Sequence, residues 1–126
     1  MKRYIWVTFM REGVHSYPAA ATDPKLATGD WDDVSFLANE HRHKFGFKVW
    51  IEVFGNNRER EFIQEKRFME RLYGNEVLDL NSRSCEMIAE DLYGQLAERY
   101  KDENREIWIE INEDNENGCF IQFDRT

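Results

Sequence analysis

An α+β fold, with two helices on one face of an antiparallel sheet, is the class this sequence predicts, and three observations predict it. Residues 41–53 alternate between two kinds of side chain, with His41, His43, Phe45, Phe47, Val49, Ile51 and Val53 at odd positions and Arg42, Lys44, Lys48 and Glu52 among the even ones, which is the period of a strand. Ile88, Leu92, Leu96 and Tyr100 recur at every fourth position, the stripe of a helix packed on something flat. Residues 105–123 hold two apolar runs around the polar segment "NEDNENG", the pattern of a hairpin. The order strand–strand–helix–helix–strand–strand places the helices together over a sheet made by the two outer pairs. At 126 residues the chain is long enough to bury a core and too short for two, so residues 1–126 read as one domain.

The first strand is expected over about Lys2–Arg11, with Ile5, Val7 and Phe9 on one face and Trp6, Thr8 and Met10 on the other. Its inward parity, continued, lands on His15. "SYPAAATDPKLATGDWDDVS", residues 16–35, holds both prolines and reads as a long loop; loops of this length in compact domains are usually functional or disordered. After the second strand, "FGNNRERE" turns into a helix expected over about Arg58–Tyr73, with Phe62, Met69, Leu72 and Tyr73 near one face and Gly74 ending it. The second helix is expected to start after Ser82 or Ser84 as N-cap, with Glu86 in the first turn, where the helix dipole favours a carboxylate. The final hairpin has Ile107, Ile109 and Ile111 on its inner face.

Seventeen basic against 25 acidic residues leave a net charge of −8, which opposes the phosphate neutralisation that a nucleic-acid polymer requires of its partner. A small anion in a local basic pocket is compatible with that charge. The basic start "MKRYIWVTFMREG" is broken by Thr8 and Arg11 and no small-residue cleavage site follows; no window approaches the ~20 apolar residues of a membrane span. A cytoplasmic protein is expected. Cys85 and Cys119, without CxxC spacing, read as reduced thiols.

The candidate chemistry lies in the three histidines, which are all the chain has. Two residues apart on one strand, His41 and His43 project the same way, roughly 6–7 Å apart, and can converge on one cation; His15, arriving on another strand, is the candidate third ligand. Three protein ligands with an open fourth position form the catalytic zinc pattern. The same residues also suit core imidazoles hydrogen-bonded to backbone, and the spacing leaves both readings open.

Several short segments, in order, resemble the 6-pyruvoyl-tetrahydropterin synthase and 6-carboxytetrahydropterin synthase family over nearly the whole chain. His15 and "HRH" (41–43) match the family's histidine followed by HGH. "EFIQEK" (61–66) echoes DF-x-x-L-K, "LDL" (78–80) echoes L-D-H, "RSCEMIA" (83–89) echoes P-T-S-E-N-L-A, and "INEDNENGC" (111–119) echoes V-x-E-T, a short turn and G-C.

The resemblance implies a T-fold: a four-stranded antiparallel sheet, ββααββ, with two helices on one face. It further implies homo-oligomers joined edge to edge into a barrel, with sites at subunit interfaces. It implies zinc held by His15, His41 and His43, and a small heterocycle, pterin-like or purine-like, anchored by Glu113, with Ser84 and Glu86 lining the pocket. The sequence departs from the family at the middle glycine of HGH, which is Arg42 here, in the segment joining the helices, shortened to "GNEVLDLNSRS", and at the catalytic residues. The family's nucleophilic cysteine is replaced by Leu37 and its activating histidine by Leu80, which puts the usual catalysis in doubt. Asp79 remains without the partner it would orient; Glu40, beside His41, is a weak substitute base because its parity points away from the ligands.

Overall fold

The computed structural model describes residues 1–126. Strand β1 (Arg3–His15) leads through the long loop to β2 (His41–Val53); helix α1 (Phe62–Tyr73) and a two-residue strand β3 (Leu78–Asp79) follow, then helix α2 (Cys85–Arg99) and strands β4 (Ile107–Glu113) and β5 (Asn117–Phe123). The sheet order is β3-β1-β2-β4-β5. The class is α+β, with both helices over one face of the sheet. No helix is long and apolar enough to cross a membrane.

The expected four-stranded, wholly antiparallel sheet is corrected in one detail: a fifth strand, β3, pairs parallel with β1 through Gly13↔Leu78 and Val14↔Asp79. Two residues carry no readable period. The pairing arises because the chain returning from α1 to the start of α2 crosses the free edge of β1, where Leu80 N–H donates to the Val14 carbonyl at 2.9 Å and Ser16 N–H to that of Asn81 at 2.9 Å.

The inward parity of β1 and β2 is as the alternation requires. Val7, Phe9, Phe45, Phe47, Val49 and Ile51 are buried together with Ile107, Ile109 and Ile111. Against them α2 lays Ile88, Leu92, Leu96 and Tyr100, and α1 lays Met69. The long loop contains two short 3₁₀ turns, Pro18–Ala21 and Ser35–Ala38.

Helix α1 differs from its expected extent and face. It starts four residues later, capped by Glu61, whose carboxylate accepts from Ile63 N–H. Arg58 takes φ 55°, outside helical space, and the Glu59 carboxylate is engaged by the Arg105 guanidinium at 2.6 Å and by Phe54 N–H at 2.9 Å. Phe62 and Leu72 are exposed; the inward stripe is instead Glu65, Met69 and Tyr73, spaced i+4, with a glutamate at a core position. Glu65 is only 2% exposed, and the Tyr100 hydroxyl at 2.5 Å and Arg99 Nε at 3.0 Å donate to its Oε2. A buried carboxylate is tolerated only when so partnered. Glu65→Ala is therefore expected to cost roughly 3 kcal/mol of stability by orphaning these donors, read as a lowered urea midpoint.

Candidate functional site

The site forms where the apolar layer between helices and sheet ends. In the β1–β2 register His15 stands directly opposite His41, with Gly13 opposite His43; one strand further, Glu113 stands opposite Phe45. All project toward the helix-covered side, beyond the last core residues. The Phe45 and His15 rings pack at right angles, with ring centres 5.1 Å apart. A side chain at position 13 would block this corner, since a Cβ there would come within 2.8 Å of Leu80 and 2.9 Å of Phe45. Glycine keeps it open.

The three imidazoles converge. Ring centres are 4.5 Å apart for His15–His41, 5.0 Å for His41–His43 and 5.5 Å for His15–His43. One nitrogen from each lies within 4.8 Å of the others.

Their tautomers follow from their partners. His15 Nδ1 lies 2.8 Å from the Arg83 carbonyl, His41 Nδ1 2.8 Å from the Asn39 carbonyl and His43 Nδ1 2.7 Å from Asp114 Oδ2. Asp114 is held below the usual carboxylate range, first by the Lys44 N–H and then by His43, so it is ionised at neutral pH. Carbonyl and carboxylate oxygens only accept, so each Nδ1 donates to its partner, and the Nε2 of each ring points away from it. Backbone or carboxylate support of this kind is what orients histidines that bind metals.

Glu113 completes the cluster. Its Oε1 lies 3.3 Å from His15 Nε2 and its Oε2 3.3 Å from His43 Nε2, yet both ring nitrogens are buried and have no hydrogen-bond partner. Bare imidazole nitrogens and carboxylate oxygens are all electron-pair donors, and bringing them together out of water is unfavourable unless positive charge lies among them. Three imidazole nitrogens beside a carboxylate could hold a metal ion.

A cleft of about 540 Å³ opens from the cluster, lined by His15, His41, Tyr17, Leu37, Glu113 and the start of α2; small-molecule sites commonly fall in this size range. Ser84 and Glu86 line it, but the Ser84 hydroxyl is engaged in capping α2, accepting from Met87 N–H at 3.2 Å. Cys85 also faces the cleft, with its thiol 3.7 Å from Glu113 Oε1. Burial, and then the neighbouring Glu113 charge, push this thiol up to about 12, so it stays protonated and is a poor nucleophile.

The two weak catalytic candidates lie apart from the cluster. Glu40 is exposed, just ahead of β2. Asp79 is exposed on β3 and accepts from Asn81 N–H at 3.2 Å, a turn contact. Leu80 is 7% exposed and belongs to the core, packed over Gly13. Sequence reasoning missed Asp114. The signal was a carboxylate directly after Glu113, in a turn whose acidic composition reads as solvated surface.

The fold and the site together define a class, an α+β domain whose histidine cluster stands at the open end of its sheet. Among solved structures the chain is similar to the uncharacterized protein WS1659 from Wolinella succinogenes, with a TM-score of 0.70 and 14% identity, over 98% of this chain and 99% of that one. That likeness extends to the whole fold. No family model and no curated protein matches the chain.

Proposed function

We propose that this protein is a zinc-containing T-fold protein, resembling the 6-pyruvoyl- and 6-carboxytetrahydropterin synthases, that binds a pterin-like or purine-like small molecule in the cleft beside His15, His41, His43 and Glu113. The observation that carries the reading is the convergence of three Nδ1-anchored imidazoles on a buried corner shared with a carboxylate. The three histidines would hold the metal. When bound there, zinc supplies a Lewis acid able to polarise hydroxyl or carbonyl oxygens of a ligand. Glu113 lines the cleft, and its two carboxylate oxygens would accept the paired N–H groups of a pterin or purine ring.

A second reading, capture without turnover, is favoured by what occupies the reactive positions. Leu37, at the position where the synthases this chain resembles carry their nucleophile, lines the cleft, Leu80 lies in the core, and the Cys85 thiol is held protonated. A sensor or sequestering protein needs none of these groups.

Self-association fits the sheet. The outer edge of β1 is paired only at Gly13 and Val14, and β5 is the other end of the sheet. Two such open edges suit edge-to-edge assembly of identical chains. Native protein, purified without added zinc or ligand, is the material that tests the reading. Light scattering is expected to show an oligomer, and mass spectrometry of the heat-released fraction an intact heterocycle; a monomer that releases no small molecule would contradict the proposal.

A further inference from the structure

We infer that Asp114 is the residue that sets His43 as a metal ligand, fixing the tautomer and direction of its ring through a carboxylate that an amide cannot replace. This rests on the metal-site reading above and goes beyond it to a residue outside the ligand set. The other two imidazoles are anchored by neutral backbone carbonyls, those of Arg83 and Asn39. His43 alone is anchored by a charged side chain, at 2.7 Å.

Asp114 takes φ 56°, in the left-handed region that aspartate and asparagine enter more readily than other side chains. It makes a two-way clamp on β2, in which Asp114 N–H donates to the Lys44 carbonyl at 2.8 Å and Asp114 Oδ1 accepts from Lys44 N–H at 2.8 Å. A turn serving structure alone would end there, and asparagine, which tolerates the same backbone region and has one acceptor oxygen, would suffice. The second oxygen, Oδ2, is what faces His43. Both acceptors of the carboxylate are thus used, one for the turn and one for the ring.

In Asp114→Asn the single amide oxygen can keep Lys44 N–H, which leaves the NH₂ group facing His43 Nδ1. That contact demands a bare Nδ1 and moves the proton to Nε2, the nitrogen needed for the metal. Asp114→Gly relieves the backbone, keeps the main-chain bond to Lys44 and removes the carboxylate, so it guards against a folding defect in the first variant. Both variants are expected to bind zinc about 10- to 100-fold more weakly than wild type, measured by competition with a chromophoric chelator.

Long-range ¹H–¹⁵N spectra of the metal-free protein give a readout that a structural role would not move. His43 should carry its proton on Nδ1 in wild type and on Nε2 in Asp114→Asn. Zinc affinities of both variants within twofold of wild type, or a wild-type His43 protonated on Nε2, would overturn the inference while leaving the metal site standing. A wild type that binds no zinc, with His43 still protonated on Nδ1, would refute the metal reading itself and this inference with it.

Discussion

His43→Ala is expected to lower zinc affinity by at least about a hundredfold, because each ligand of a protein zinc site contributes roughly 3 kcal/mol of the binding free energy. His43 should be the most sensitive of the three positions for a reason visible in its surroundings. It sits between two carboxylates, with Asp114 at Nδ1 and Glu113 near Nε2. Removing it takes away a ligand and leaves Glu113 facing a gap in the donor set. The fold should survive: His43 lies beyond the apolar layer, and the core formed by Phe45, Phe47, Val49 and Ile51 is untouched. The expected result is a metal-depleted protein with near-normal circular dichroism. Full metal retention in this variant would mean that the imidazoles pack as ordinary polar residues.

Glu113→Gln is expected to separate the metal from the small molecule. A carboxylate presents two acceptors to paired N–H donors, whereas glutamine presents one acceptor and one NH₂ group, so one contact becomes donor against donor. Losing a charge-assisted hydrogen bond and creating that clash should weaken a pterin-like or purine-like ligand by about 3 kcal/mol, or roughly a hundredfold. Zinc should be retained, since the three imidazoles keep their Nδ1 anchors. Calorimetry with a neutral pterin as probe reads the first effect, and metal analysis of the same sample reads the second. Equal pterin affinity in wild type and variant would remove Glu113 from the anchoring role.

How much of this was legible in the sequence differs from element to element. β2 was readable end to end, because a strand covered on one face must alternate, and its parity placed His41 and His43 on the buried side. β1 was read only to about Arg11, with its parity continued to His15, and the strand in fact runs to that residue; the i+4 stripe of α2 was plain, and of the two candidate caps, Ser82 and Ser84, it is Ser84 that caps the helix. α1 was harder because its buried face includes Glu65, whose partners Arg99 and Tyr100 lie at the far end of α2. A tertiary contact made a charged residue internal, and no local pattern records that.

β3 was hidden by its length: two residues pair with β1 only because the chain passes that edge. Within the site, the three histidines were legible as one cluster from strand parity, whereas Glu113 entered only through the family resemblance and not as their neighbour. Their contact depends on the register in which Glu113 meets Phe45, a pairing between strands separated by both helices. Asp114 was invisible for the same reason, since its role exists only once the hairpin turn lies against Lys44.

Anomalous diffraction at the zinc absorption edge, from crystals of protein purified without added metal, tests the central claim most directly. One peak per chain, enclosed by the Nε2 atoms of His15, His41 and His43, is the predicted result. A map with no peak among those nitrogens, or with zinc bound only elsewhere on the chain, would contradict it.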